Sequence, residues 1–251
     1  VLNVNSQLNK LHAENKYKYN FSYFPKNIVQ EINTKKLITI HFKDDLFASG
    51  KSIRVSNWKS YRETIQWLLN KNYTVIRFIH SNSVKNIYKH KNYFELTTIN
   101  ETEKIRQLFL IKLSKLFICT QSGPSSYNFI LKTPFLQVNS YPINVSFVCS
   151  SKDFIIFKKI RKGKYYINLR EMIKKKFHLT FDIKNKKFCG YILEDNSSKE
   201  ILNATQDILK KTKTYFFSSL LKSKKINIPA NDSRSKVPNS FYKKLLDINI
   251  C

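Results

Sequence analysis

Glycine is scarce in this chain, at four residues of 251, and there are only one methionine and four cysteines. Cys119, Cys149, Cys189 and Cys251 lie far apart and form no C-x-x-C pair, so they point to neither a zinc site nor a disulfide framework and suit a reducing cytoplasm. His12, His90 and His178 have no metal-ligand spacing with cysteines or acids, and no metal is expected. No apolar run approaches the ~20 residues that span a bilayer, and no signal-peptide pattern opens the chain. The expected location is therefore the cytoplasm, including its peripheral zone at the inner face of the plasma membrane. The chain begins at Val1 rather than Met, which suggests that an upstream portion has been lost.

Acidic residues are also few: 17 Asp and Glu against 45 Lys and Arg give a net charge of +28. Such an excess suits a polyanion partner, because Lys and Arg neutralise phosphates and release counterions. Only seven of the basic residues are arginine, however, the side chain that reads phosphates and bases bidentately. Lys, Asn, Ile, Phe and Tyr all have AT-rich codons, so genome composition alone could supply much of the charge without selection for a polyanion. Nucleic acid is accordingly not the expected partner, although a basic nucleic-acid- or ribosome-associated protein stays the alternative reading. Lysine-dense stretches at Lys158 to Lys164, Lys174 to Lys176, Lys210 to Lys213 and Lys222 to Lys225 are either solvated faces or a surface for anionic lipid headgroups or acidic glycans.

Strands alternate with helices once the polar, tyrosine-rich residues 1–36 are passed. That opening stretch reads as a linker or the remnant of a preceding domain. Apolar, β-branched runs predict strands at Leu37–Phe42, Thr74–Ile79, Tyr93–Thr97, Leu116–Cys119, Pro134–Val138 and Tyr191–Leu193. Three-and-four spacings predict helices around Trp58–Leu69, Glu101–Leu113, Ile167–Phe177 and Lys199–Lys211, the last capped by Ser197 or Ser198. A short irregular helix is expected between the second and third strands, and a terminal helix over residues 239–248. This order predicts an α/β domain over 37–215, a Rossmann-like parallel sheet with helices on both faces, because parallel strands need crossover connections. Residues 216–251 are left as a basic linker and C-terminal helix. No internal repeat is present.

Ligands of open parallel sheets bind beyond the carboxyl ends of the strands. Polar clusters fall at such ends: His41 to Asp45, Arg77 to Ser83, Thr120 to Ser125 and Asn139 to Pro142. The stretch Lys115 to Ser125 is the most informative, since it spends a rare glycine, Gly123, between a buried strand and a helix expected to open at Pro124. Free N–H groups at that helix start, with the Thr120, Ser122 and Ser125 hydroxyls beside them, would make a phosphate or pyrophosphate pocket. An ordinary turn capped by Ser122 satisfies the same pattern.

The order of motifs resembles a group of bacterial glycosyltransferases of the two-domain B-type (GT-B) fold, distant relatives of heptosyl- and fucosyltransferases. The matching residues are His41-Phe-Lys-Asp44, Arg54 in its loop, Tyr61, Val75-Ile-Arg77, Phe117 to Ser125, Pro134 to Pro142, Asp195 to Ile201 and Ser240-Phe241. The chain departs from that pattern at Lys43, which stands for an arginine, at Ile79-His80, which replaces Met-Gly, and at Cys119, which replaces a glycine. The resemblance implies the C-terminal, donor-binding half of such an enzyme, covering roughly residues 37–248. It also implies transfer of a sugar from a nucleotide-diphosphate donor, a co-substrate rather than a cofactor, to a glycan or glycolipid acceptor of the cell envelope.

Metal-independent transfer of this kind stabilises the departing diphosphate with N–H groups and cationic side chains. Lys43, Arg54 and Arg77 are candidates for the charge. Arg77, inside an apolar strand, needs a partner to offset its desolvation, and that partner is either phosphate or a carboxylate such as Glu95 or Glu103. Catalytic candidates are His41, as base or phosphate donor, and Asp44, with Asp45 beside it. Asn139 and Tyr141 are expected at the base or ribose of the donor.

Overall fold

The computed structural model describes residues 34–44, 53–97, 101–142, 153–177, 189–211, 214–216, 236–238 and Ser240. The expected linker over 1–36, apart from its last three residues, and the expected helix over 239–248, apart from Ser240, lie outside the described residues. So do Asp45, His12, His178 and the lysines at 222–225.

Eleven strands and five α-helices are described. The strands are β1 (Leu37–His41), β2 (Thr74–Ile79), β3 (Tyr93–Thr97), β4 (Leu116–Thr120), β5 (Phe135–Ser140), β6 (Asp153–Phe157), β7 (Lys159–Lys162), β8 (Tyr165–Tyr166), β9 (Tyr191–Glu194), β10 (Thr214–Phe216) and β11 (Lys236–Pro238). The helices are α1 (Arg62–Asn70), entered through a 3-10 turn at Trp58–Tyr61, α2 (Glu101–Leu113), α3 (Asn128–Leu131), α4 (Leu169–Lys174) and α5 (Ser198–Leu209).

The main sheet runs β3-β2-β1-β4-β5-β6-β11-β10, parallel throughout except for the last, antiparallel pair. The crossover from β1 to β2 moves one way along the sheet and that from β3 to β4 moves the other. Right-handed connections then place α1 and α2 on opposite faces. Accordingly α1 packs with α5, and α2 with α3. The expected α/β Rossmann-like architecture is the one found. Strands covered on both faces must be apolar on both, and β2, β4 and β5 are buried at every position. On α1, Ile65, Leu68 and Leu69 fill the space beneath α5 residues Ile201 and Ala204, all in one continuous core.

Four features differ from the pattern reading. The helix expected from Pro124 is a 3-10 turn at Gly123–Tyr127 running into the four-residue α3. Ser125 Oγ donates to Ser122 O and Ser126 Oγ donates to Gly123 O at 2.7 Å, so hydroxyls three residues on tighten the turn. The connection between β2 and β3 is irregular rather than helical. The sheet continues beyond the expected domain end at residue 215, through β10 and β11. Finally, β9 joins β7 and β8 in a separate antiparallel sheet ordered β8-β7-β9.

Candidate functional site

Strand order reverses between β1 and β4, the switch point at which open α/β sheets hold ligands. A pocket of about 400 Å³ opens there, within the ordinary size range of small-molecule sites. Its walls come from the ends of β1 (His41, Phe42, Lys43), β2 (His80, Ser83) and β4 (Gln121 to Pro124, then Tyr127), with Arg54 from the loop before α1 and Lys104 and Gln107 from α2. Three of these side chains carry fixed positive charge and none is a carboxylate. The pocket therefore suits an anion with an apolar or aromatic portion.

His41 sits at its floor. The Ser122 hydroxyl lies 3.1 Å from His41 Nδ1 and 3.2 Å from the Thr120 carbonyl, and the Cys119 thiol donates to that carbonyl at 3.1 Å. A hydroxyl has one proton. When Ser122 gives it to Thr120 O, its oxygen accepts from His41 Nδ1–H and the ring's lone pair is left on Nε2. Burial, then the positive charges of Arg77, Lys43 and His80, lower the imidazole pKa to about 4, so His41 is neutral at pH 7. Burial and the charge of Arg54 also lower the Lys43 pKa. Gly123 has φ outside the left-handed region, and a Cβ built on it meets nothing within 4 Å. The backbone there does not demand glycine; the space over it is open.

Below the pocket lies a buried ionic hub centred on Arg77, which has no exposed surface. Its guanidinium donates to Asp44 Oδ2 at 2.9 Å, Glu95 Oε1 at 3.1 Å and the Val84 carbonyl at 2.6 Å, and stacks on Phe42 with 4.3 Å to the ring centroid. Asp44 also accepts from Val84 N–H, and Glu95 from the N–H groups of Asn86 and Ile87. Arg77 and Asp44 thus do not line the pocket. They tie the end of β1, which carries Lys43, to the loop that carries His80 and Ser83.

A second hub holds the Arg54 loop. Asn139, itself at φ 51°, and Asn196 exchange bonds: Asn139 N–H donates to Asn196 Oδ1 at 2.8 Å, and Asn196 N–H to Asn139 Oδ1 at 2.5 Å. Asn139 Nδ2 donates to Ser56 Oγ, which also bonds Tyr61 OH at 3.1 Å. Lys158 Nζ reaches the Val55 carbonyl at 2.8 Å and Asp195 at 2.6 Å, while Asp195 accepts from Asn57 N–H at 2.9 Å. Residues 55–57 are therefore pinned to the ends of β5 and β6. Phe42 joins the hubs, since its other face stacks on Tyr61 at 4.2 Å.

Of the residues expected at a donor site, His41, Lys43, Arg54, Ser122, Gly123 and Pro124 line the pocket. Six others require correction. Arg77 and Asp44 neutralise each other in the ionic hub. Thr120 is buried, its hydroxyl accepting from Lys43 N–H at 3.3 Å, and Ser125 is buried with its hydroxyl bonded to the Ser122 backbone. Asn139 is spent on Asn196 and Ser56. Tyr141 is buried, with its hydroxyl donating to the Phe177 carbonyl at 2.7 Å, and is closed to a nucleobase. Pocket residues that sequence reasoning missed are Lys104, Gln107 and Tyr127, while His80, Ser83 and Gln121 fell within its strand-end clusters without being singled out. Lys104 and Gln107 stand three apart on α2, a spacing that puts both on one helix face.

No group of three His, Cys, Asp or Glu side chains that could hold a metal occurs among the described residues. Among them, too, no helix is long and apolar enough to cross a membrane.

No family model matches the chain, and no curated protein does. Among solved structures it is similar to the ADP-heptose LPS heptosyltransferase II of E. coli, with 16% sequence identity and a TM-score of 0.43. The likeness covers 70% of this chain and 46% of that one, so the chain spans about half the length of the structure it matches.

Proposed function

We propose that this chain is the donor-binding half of a metal-independent glycosyltransferase of the two-domain B-type fold. The donor is a nucleotide-diphosphate sugar and the acceptor a glycan or glycolipid of the cell envelope. The observation that carries the reading is the cation-lined, carboxylate-free pocket at the switch point of the sheet. Lys43, Arg54 and Lys104 offset the charge that grows on the diphosphate as the glycosidic bond breaks, and the Ser122–Gly123 turn offers the open surface against which phosphate packs. Tyr127, half-buried at the pocket wall, supplies the apolar surface for the base or sugar. The neutral His41 acts through Nε2 as an acceptor for a hydroxyl proton. A bound diphosphate beside it raises its pKa from the empty-pocket value and so makes it a better base. The sequence motifs His41-Phe-Lys-Asp44 and Phe117 to Ser125 support the same family.

A panel of nucleoside diphosphates and their sugars, read by thermal shift, tests the proposal. A true ligand at ~100 times its dissociation constant stabilises the fold by ~2.7 kcal/mol. No response to any member, with salt-sensitive RNA binding instead, would overturn it.

A further inference from the structure

The small β8-β7-β9 sheet leaves the carboxyl edge of the main sheet directly after β6, through Lys158. Of the six large apolar or aromatic side chains exposed among the described residues, three belong to it: Tyr165 at 61%, Tyr166 at 43% and Ile192 at 47%. Its register sets Ile192, Arg161 and Tyr166 in one row across the three strands, and Tyr191, Lys162 and Tyr165 in the next. Neighbouring rows point to opposite faces. Each face therefore carries a cation between two apolar or aromatic groups. The two-residue turn Gly163-Lys164 closes the tip, with Gly163 at φ 57° in the left-handed region that such turns require.

Charge is graded along this sheet. At its root Glu194 accepts from Arg161 and Tyr166 and pairs with Lys159 at 3.4 Å. At the tip, Lys162 lies over the Tyr191 ring and Lys164 over the Tyr165 ring, with no carboxylate in ion-pair range of either among the described residues. Just past the end of α4, Lys175 pairs with Glu171 of that helix. Exposed apolar groups on both faces of a thin hairpin, with lysines at its tip, match a soft, anionic medium. Tyrosine rings settle at headgroup level and each nearby lysine gains from anionic lipid.

We propose that the β7–β8 hairpin is a membrane-docking element that inserts tip-first into the headgroup layer of an anionic lipid surface. It does so through Tyr165, Tyr166, Lys162 and Lys164. The docking does not depend on the nucleotide-sugar reading.

The test is co-sedimentation of the full chain with vesicles of phosphatidylcholine alone or with added phosphatidylglycerol. Binding is expected only to the anionic vesicles. The Lys162→Gln/Lys164→Gln double variant should bind about thirtyfold more weakly, as for two lysines at about 1 kcal/mol each. Tyr165→Ser should weaken binding severalfold at unchanged charge. A control with the same charge change elsewhere, Lys85→Gln/Lys89→Gln, should lose much less, and melting temperatures check that every variant folds. Four outcomes would overturn the proposal: no vesicle binding, equal binding to neutral vesicles, equal losses in the control, or displacement by inorganic phosphate, RNA or a soluble acidic polysaccharide at matched ionic strength.

Discussion

Replacing Arg77 by methionine keeps the bulk of the side chain and removes its charge. The guanidinium now satisfies Asp44, which is fully buried, Glu95, whose side chain is 9% exposed, and the Val84 carbonyl. Taking it away leaves two carboxylates confronting each other in the protein interior. Breaking a buried pair from one side costs ~3–5 kcal/mol, and here two anions lose the same partner, so the upper half of that range applies. Against a total of ~5–15 kcal/mol for a typical domain, this is a large share. In a domain of this size it lowers Tm by roughly 8–20 °C, at ~2–4 °C per kcal/mol. Arg77→Lys restores the charge without the fork that reaches three acceptors, and should lose about half as much. Calorimetric melting of both variants at pH 7 gives the numbers. If Arg77→Lys melts within two degrees of the unsubstituted protein, on the same ~2–4 °C scale, yet no longer responds to nucleotide, Arg77 is a ligand and its assignment as a positioning residue is wrong.

Gly123→Val should abolish the thermal response to nucleotide while leaving the unliganded Tm nearly unchanged, because the added carbons enter open pocket space; a large fall in Tm would contradict this. His41 predicts a pH effect whose sign follows from its lowered pKa. Between about 4 and 6.5 the unfolded chain binds a proton that the folded chain does not, so stability is lost as pH falls through that window and is flat above it. The full shift would be worth about 3 kcal/mol, and water in the open pocket reduces this to about 2 kcal/mol. Urea titrations across the window should show the slope, and His41→Gln should flatten it. Asn139→Ala removes the side-chain bonds to Ser56 Oγ and from Asn196 N–H, and leaves a residue without a compensating side chain at positive φ. A loss of about 3 kcal/mol is expected from these two effects, whereas a loss under ~0.5 kcal/mol would show that the asparagine pair is not what pins the Arg54 loop.

Much of the fold was legible because buried parallel strands are short apolar runs and α1 and α5 carry clear helical stripes. The strands β6 to β8 were not. Asp153–Phe157 holds only a four-residue apolar run, Phe154 to Phe157, and Lys159–Lys162 reads as a charge cluster until Gly163 is seen as a hairpin tip. The site was half legible for a definite reason. Strand ends that hold a ligand and strand ends that hold a loop both need hydrogen-bonding side chains at the same places. Arg77 announced that it needed a partner, and Glu95 was one of two carboxylates named for it, but the sequence did not show that Asp44 would be the other. Asn139 likewise looked like a ligand residue because its true partner, Asn196, lies 57 positions away. Lys104 and Gln107 were hidden on α2, whose apolar side drew the reading instead.

The most direct measurement is a crystal structure with a nucleoside diphosphate bound. The diphosphate is expected over the Ser122–Gly123 turn, in contact with Lys43 or Arg54, with the base or ribose against Tyr127 and Asp44 still paired to Arg77. A diphosphate bound anywhere else, or one that draws Arg77 out of its hub, would contradict it.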